Sequence, residues 1–124
     1  MEWKFNDETP IYLQIMEHMK TQIAAGEFKA NDKLPSVREL ALEAGVNPNT
    51  MQKALSELER EGLVYSQRTA GRFVADTAGT ADYLKQSLAK EHMETYLMNM
   101  GKIGYTDKQA AHLLSEYTNQ VKSP

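Results

Sequence analysis

Two helix-start signals that follow each other closely constrain the fold of this chain most. Residues 36–39 (Ser-Val-Arg-Glu) have the pattern of a capping box, in which the serine hydroxyl and the glutamate carboxylate each accept a free backbone amide. Gly45 offers the left-handed residue that ends a helix, and Asn47-Pro48 is the next start signal. The spacing therefore predicts a short helix, a tight turn and a longer helix over 47–61.

The flanking segments complete a recognisable order. Before the pair, Thr9-Pro10 opens an apolar stripe at helical spacing that runs to Gly26, and residues 28–35 are expected to be irregular. After the pair, 63–67 and 73–75 are rich in strand formers and enclose a turn at 68–72. The predicted fold is mainly α with a small β-hairpin, the order of a winged helix-turn-helix.

A small, polar, unpatterned stretch at 76–80 predicts a boundary. We therefore expect a winged helix-turn-helix domain over 1–76 and a helical tail over 77–124. The sequence of the tail predicts one helix that is broken near Gly101 or Gly104. It predicts a second helix that begins with a capping box at 106–109. Two such helices cannot enclose a core of their own, so a second copy of the chain is the expected partner. The residues expected at this dimer seam are Leu84, Leu88, Met93, Leu97, Met100, Leu113, Leu114 and Tyr117.

The 124-residue composition excludes several classes of protein. The chain has no cysteine, which removes disulfide frameworks, cysteine-ligated metal sites and cysteine nucleophiles. Its three histidines stand far apart, and no phosphate-binding loop or catalytic constellation is recognisable. No window approaches the ~20 apolar residues of a membrane span. We therefore expect no enzyme, no metal, no cofactor and no membrane partner, and a cytoplasmic location.

The charge distribution points to a local anion-binding surface despite a formal net charge of −3. All four arginines lie within one central stretch of the chain, at positions 38, 60, 68 and 72. Arg38 falls in the first turn of the short helix, whereas Arg68 and Arg72 bracket the hairpin tip. These are the elements that would face a phosphate backbone.

The start of the 47–61 helix carries polar side chains and no carboxylate until Glu57. Asn and Gln can donate to and accept from a base edge, and Lys reaches guanine or phosphate. Such a face is also compatible with ordinary capping and solvation, and winged helices also act as protein-interaction adaptors, which remains the alternative. The candidate DNA-binding residues are Arg38, Asn47, Asn49, Thr50, Gln52, Lys53, Arg68, Gly71 and Arg72.

Residues 34–41 (Leu-Pro-Ser-Val-Arg-Glu-Leu-Ala), 45–55 and 58–63 together resemble the DNA-binding domain of GntR-family transcriptional regulators. The short two-helix tail further resembles the YtrA-type subfamily, whose C-terminal helices serve dimerisation. The resemblance implies that Arg38 contacts phosphate, that 49–53 on the recognition helix contact bases or nearby phosphates, and that Gly71 belongs to the wing tip. The chain departs from many relatives at Pro48 and Gln52, where they carry arginines. It also departs in the wing, where 69–74 reads Thr-Ala-Gly-Arg-Phe-Val instead of Gly-x-Gly-Thr-Phe-Val.

The expected function is therefore that of a sequence-specific regulator of transcription. We expect a homodimer that binds an inverted repeat in double-stranded DNA and acts as a repressor. The sequence does not identify the operator, the target genes or a small-molecule effector.

Overall fold

The computed structural model describes residues 2–76 and 79–122. Its elements follow the predicted order of three helices, a hairpin and two further helices, which confirms the predicted fold class. They are α1 (Ile11–Ala24), α2 (Val37–Ala44), α3 (Pro48–Arg60), β1 (Val64–Gln67), β2 (Gly71–Val74), α4 (Thr80–Lys102) and α5 (Asp107–Lys122).

The helix-turn-helix unit is set by its caps. Both halves of the capping box are present at the start of α2, since Ser36 accepts the amide of Glu39 and Glu39 accepts the amide of Ser36. Gly45 closes α2 in the left-handed conformation, with a φ of 71°. Asn47 then caps α3 and Pro48 is its first residue. The turn between α2 and α3 is therefore as short as the sequence predicts.

Helix α3 lies at the centre of the first three helices. It packs against α1, α2 and β1, and its residues Met51, Ala54, Leu55 and Leu58 are at most 1% exposed. Ile15 and Met19 of α1 fill the space opposite. Burying a side chain of this size contributes about 1.5–3 kcal/mol. One face of α3 is therefore buried in the core, and the opposite face is exposed to solvent.

The hairpin β1–β2 pairs antiparallel, with Val64 opposite Val74 and Gln67 opposite Gly71. A third segment, 31–34, pairs with the other edge of β2, since the amide of Leu34 donates to the carbonyl of Arg72 at 2.9 Å. Residues 28–35 form no helix or strand, as expected, but one isolated bridge between Lys33 and Phe73 joins them to β2. The segment forms only one bridge, which is too short to show the alternation of a strand.

The chain divides into two compact units, Met1–Lys85 and Gln86–Pro124. The division falls inside α4, later than the boundary expected after residue 76; residues 77 and 78 lie outside the described residues. The physical reason is Leu84, which is 4% exposed and belongs to the core of the first unit. Leu84 was expected at a dimer seam but lies in the core of its own protomer, so this side chain does not face a second copy.

In the second unit the predicted capping box opens α5, with Thr106 and Gln109 bonded reciprocally at 2.9 and 3.1 Å. The Tyr96 hydroxyl donates to the carbonyl of Ala110 at 2.7 Å, which ties α4 to α5. Over the described ranges, neither long helix is apolar enough to cross a bilayer.

Candidate nucleic-acid interface

The leading end of α3 projects polar side chains into solvent. Asn49 and Gln52 are exposed and Thr50 is half-buried. The side-chain oxygen of Asn47 accepts the amide of Asn49 at 2.7 Å, so this oxygen is used by the helix cap. Gln52 donates to Ser56 one turn later, at 3.1 Å, and its side-chain carbonyl remains available as an acceptor. This end of the helix can read donor and acceptor patterns on a base edge.

Lys53 is held by a neighbouring helix. Its ammonium nitrogen lies 4.1 Å from the centre of the Tyr12 ring, a cation–π contact between α3 and α1. The side chain is therefore directed by Tyr12, which sequence reasoning placed only in an apolar stripe.

Arg38 and Arg68 are the two arginines of the described residues that have no ion-pair partner there. Both side chains are exposed, and among the residues that the structure describes neither makes a salt bridge. Because Arg38 lies in the first turn of α2 and Arg68 at the hairpin tip, both guanidinium groups are available to an external anion.

A groove of about 560 Å³ separates the start of α2 from the hairpin. Lys33, Ser36 and Gly71 contribute to its walls. The backbone of the hairpin and that of residue 34 are joined by a hydrogen bond, so the two walls are fixed to each other. The elements that carry Arg38 and Arg68 therefore border one concave surface.

Gly71 is required by geometry where β2 begins. Its φ is +109°, which side chains rarely adopt, and an added Cβ would meet the Cε of Lys33 at 3.2 Å. The glycine of the predicted wing tip thus permits close approach of Lys33.

The side chain of Arg72 does not extend into solvent beside the hairpin tip. Its side chain is 20% exposed and its Nε lies 3.4 Å from Oε1 of Glu59 on α3. The same Oε1 accepts the hydroxyl of Ser66 at 2.6 Å. Neither Glu59 nor Ser66 was a candidate, because nothing in the sequence spacing links a helix residue to two hairpin residues.

The trailing end of α3 carries three carboxylates, and each has a cationic partner. Glu57 pairs with Arg60 of the same helix, Glu59 with Arg72, and Glu61, directly after the helix, with Lys20 of α1 at 3.0 Å. The hydrogen bonds that Arg60 donates to the Glu57 carboxylate raise the pKa of the exposed Arg60. The negative charge of this end is therefore balanced locally, while the leading end has no carboxylate.

At the start of α2, hydrogen bonds from the Ser36 amide and hydroxyl lower the pKa of Glu39. The carboxylate is fixed as an anion at the helix N-terminus, where the helix dipole favours it. In the same turn, Arg38 is therefore presented from a well-formed cap.

The residues expected at the dimer seam fall into three groups. Leu84 and Leu88 are buried, at 4% and 8% exposure, and of the two only Leu84 belongs to the core cluster of the first unit. Leu97, Met100 and Leu113 are half-buried. Met93, Leu114 and Tyr117 are exposed, as are five large hydrophobic residues in the described part of the tail that were not candidates: Tyr83, Met98, Ile103, Tyr105 and Val121.

No metal site accompanies these surfaces: the described part of the chain contains no cluster of three or more His, Cys, Asp or Glu side chains suited to an ion.

Comparison with known proteins places this arrangement in a family. Residues 11–74 match the model of bacterial regulatory proteins of the gntR family. The uncharacterized HTH-type transcriptional regulator YhcF of Bacillus subtilis is 38% identical over 118 residues, 95% of this chain and 98% of that protein. The HTH-type transcriptional repressor YtrA of the same organism is 37% identical over 115 residues, 92% of this chain and 88% of that protein.

Solved structures agree. A GntR family transcriptional regulator from Listeria monocytogenes superposes with a TM-score of 0.81 at 35% identity, covering 90% of this chain and 98% of that one. AraR(DBD) in complex with operator ORX1 has a TM-score of 0.56 at 32% identity, covering 60% of this chain and 96% of that one. The chain belongs to the GntR family of bacterial regulatory proteins, in its YtrA-type subfamily, and is a regulator rather than an enzyme.

Proposed function

We propose that this regulator binds an inverted-repeat operator as a homodimer and represses the promoter that contains it. The observation that carries the proposal is the charge arrangement of α3. Its leading end exposes Asn49 and Gln52 with no carboxylate nearby in sequence, and the three trailing carboxylates are each paired with a cation. The leading end is therefore suited to the major groove of duplex DNA.

Affinity would come from the cations beside the reading helix. Arg38 on α2 and Arg68 at the hairpin tip are exposed, and each phosphate contact releases counterions. These contacts fix the protein on the duplex, whereas Asn49, Gln52 and Lys53 supply the discrimination between bases. The similarity to an AraR domain in complex with an operator supports duplex DNA as the ligand, because that domain shares the fold at 32% identity.

A second copy of the chain is the proposed partner of the tail. Met93, Leu114 and Tyr117 are 58%, 46% and 64% exposed, and apolar side chains of this size favour burial in a contact. A two-fold axis would present two α3 helices to two half-sites, which must then be inverted relative to each other. Bound in this way across a promoter, the dimer would exclude polymerase sterically, in the cytoplasm where the chromosome lies.

Selection of bound fragments from sheared genomic DNA tests the proposal. We expect the full chain to enrich one inverted repeat, with half-site centres about one helical turn, ~10 bp, or a multiple of it apart. The matched control is the double variant Asn49→Ala/Gln52→Ala, which should recover fragments without this motif. Equal recovery of unrelated sequences by both proteins would contradict the proposal and favour the adaptor alternative.

A further inference from the structure

We infer that Glu59 and Arg72 form a latch that fixes the wing against the recognition helix, which makes both of them positioning residues for operator binding. The wing is the hairpin β1–β2, residues 64–74, and the recognition helix is α3. The inference deepens the proposed function and rests on it. It replaces the expectation that Arg72 contacts DNA directly.

The geometry joins both strands of the wing to one atom of the helix. Ser66 on β1 and Arg72 on β2 are direct cross-strand partners. Ser66 donates to Oε1 of Glu59 at 2.6 Å, and Arg72 places its Nε 3.4 Å from the same oxygen. A single carboxylate oxygen therefore fixes the two strands relative to α3.

The latch acts on the outer half of the wing, where the β2 edge is also bonded to the amide of Leu34. At the base, Val64 and Val74 are 2% and 1% exposed and anchor the hairpin in the core. Towards the tip, Gln67 and Arg68 are exposed. A two-stranded hairpin is at best marginally stable without further packing. The Glu59 carboxylate supplies the contact to the helix for this outer half.

Glu59 and Arg72 carry opposite charges. Variants of the two residues therefore distinguish the effect of wing geometry on DNA binding from the effect of net charge. Glu59→Gln removes a negative charge and frees the Arg72 guanidinium, so general attraction to phosphate increases. Arg72→Gln removes a positive charge and leaves Glu59 unbalanced, so long-range attraction to DNA decreases, although no phosphate contact is lost. Both changes loosen the wing, and both should therefore reduce the preference for operator over unrelated DNA.

The experiment measures dissociation constants for the selected operator and an unrelated duplex at several salt concentrations. The proteins are wild type, Glu59→Gln, Arg72→Gln and the double variant. Glu61→Gln is the matched control, because it removes the same charge from the same end of α3, where the partner is Lys20 instead of the wing.

We expect the operator preference to fall about threefold to fivefold in each single variant, the range of a weakly exposed ion pair. We expect no further loss in the double variant, no loss in Glu61→Gln, and an unchanged salt slope in Arg72→Gln. A salt slope reduced by about 1 in Arg72→Gln would assign Arg72 to a phosphate and overturn the inference. An effect of Glu59→Gln equal to that of Glu61→Gln would overturn it as well.

Hydrogen exchange of the free protein separates failure of the latch from failure of the proposed function. Amides of 66–72 should exchange faster in Glu59→Gln and Arg72→Gln than in wild type or Glu61→Gln, whether or not an operator exists. Unchanged exchange in both variants would show that the pair does not hold the wing. Faster exchange without any operator preference in wild type would instead contradict the proposed function.

Discussion

Lys53 and Tyr12 join the recognition helix to the first helix through a cation–π contact, with 4.1 Å between the ammonium nitrogen and the ring centre. The contact holds a lysine that would otherwise sample many rotamers, at the edge of the surface proposed to read DNA. Reduced freedom before binding lowers the entropic cost of ordering that side chain on DNA.

The first prediction concerns this contact. Tyr12→Leu should remove about 0.5–1 kcal/mol of coupling with Lys53, measured by a double-mutant cycle with Lys53→Met in urea denaturation. Tyr12→Phe keeps the ring face and is the control, so its coupling with Lys53 should match that of wild type. Zero coupling in the wild-type background would show that the contact is incidental.

The second prediction concerns Arg38. Its exposed guanidinium has no ion-pair partner in the described ranges, so Arg38→Ala should weaken binding to all duplexes alike and reduce the salt slope by about 1. Arg60→Ala is the control, since Arg60 is also exposed but is paired with Glu57 at the trailing end of α3. Fluorescence anisotropy at several salt concentrations measures both. An unchanged salt slope in Arg38→Ala would show that Arg38 makes no phosphate contact.

The third prediction concerns Gln52. Its side-chain carbonyl is free to accept while its amide contacts Ser56, so Gln52→Ala should lose about 1–3 kcal/mol of preference for the selected base pair. Affinity for unrelated duplexes should stay the same, because no charge is removed. Competition titrations with operators altered at single positions would measure the loss. A uniform loss at every position would contradict base reading by Gln52.

The fourth prediction concerns the tail. Replacing Leu114 and Tyr117 by Asp should convert a dimer into a monomer in light scattering, because charges are disfavoured in an apolar contact. Leu42→Asp is the control, since Leu42 is 85% exposed on α2, outside the proposed seam. A monomeric wild-type chain would contradict dimerisation through the tail.

The fifth prediction concerns pH. The ring of His18 stacks on that of Trp3, with centroids 3.9 Å apart, and burial lowers the pKa of His18 from its ordinary value of 6.5, partly offset by Glu27. The folded state therefore binds the proton less readily than the unfolded state. The contribution of neutral His18 to the free energy of unfolding should be fully present above pH 6.5. It should be lost as the pH falls below 6.5 towards the lowered pKa of the folded state.

Urea denaturation followed by the fluorescence of Trp3, the single tryptophan, measures this dependence. His18→Phe keeps a stacking ring without a titrating group, so its stability should change less between pH 7.5 and about 5.5 than that of wild type. His92→Gln, at an exposed position, is the control. Equal slopes in wild type and His18→Phe would show that His18 is not the group responsible.

The fold could be predicted because the residues that start and end its helices act locally. Capping residues such as Ser36 and Asn47 act within a few residues of themselves, and the apolar stripes follow the helical period. For the same reason, the hairpin could be predicted and the family resemblance recognised from short stretches of sequence. The single bridge at Lys33 could not be predicted, because one pair carries no periodic signal.

The site was predictable only in part. The exposed side chains of Asn49, Gln52 and Arg38 follow from helix position alone. The partners of Lys53 and Arg72, by contrast, come from elements distant in sequence, and no spacing rule joins Tyr12 to Lys53 or Glu59 to Arg72. Leu84 was misplaced for a related reason: a helical stripe shows which face is apolar but not what that face packs against.

The central claim is that the leading end of α3 enters duplex DNA, and NMR titration of the ¹⁵N-labelled chain with the selected operator tests it most directly. We expect the largest amide shift changes at 47–53, with further changes at 36–38 and 68–71 and none at the exposed face of α5. Changes confined to α1 or the tail, with 47–53 unmoved, would contradict the account.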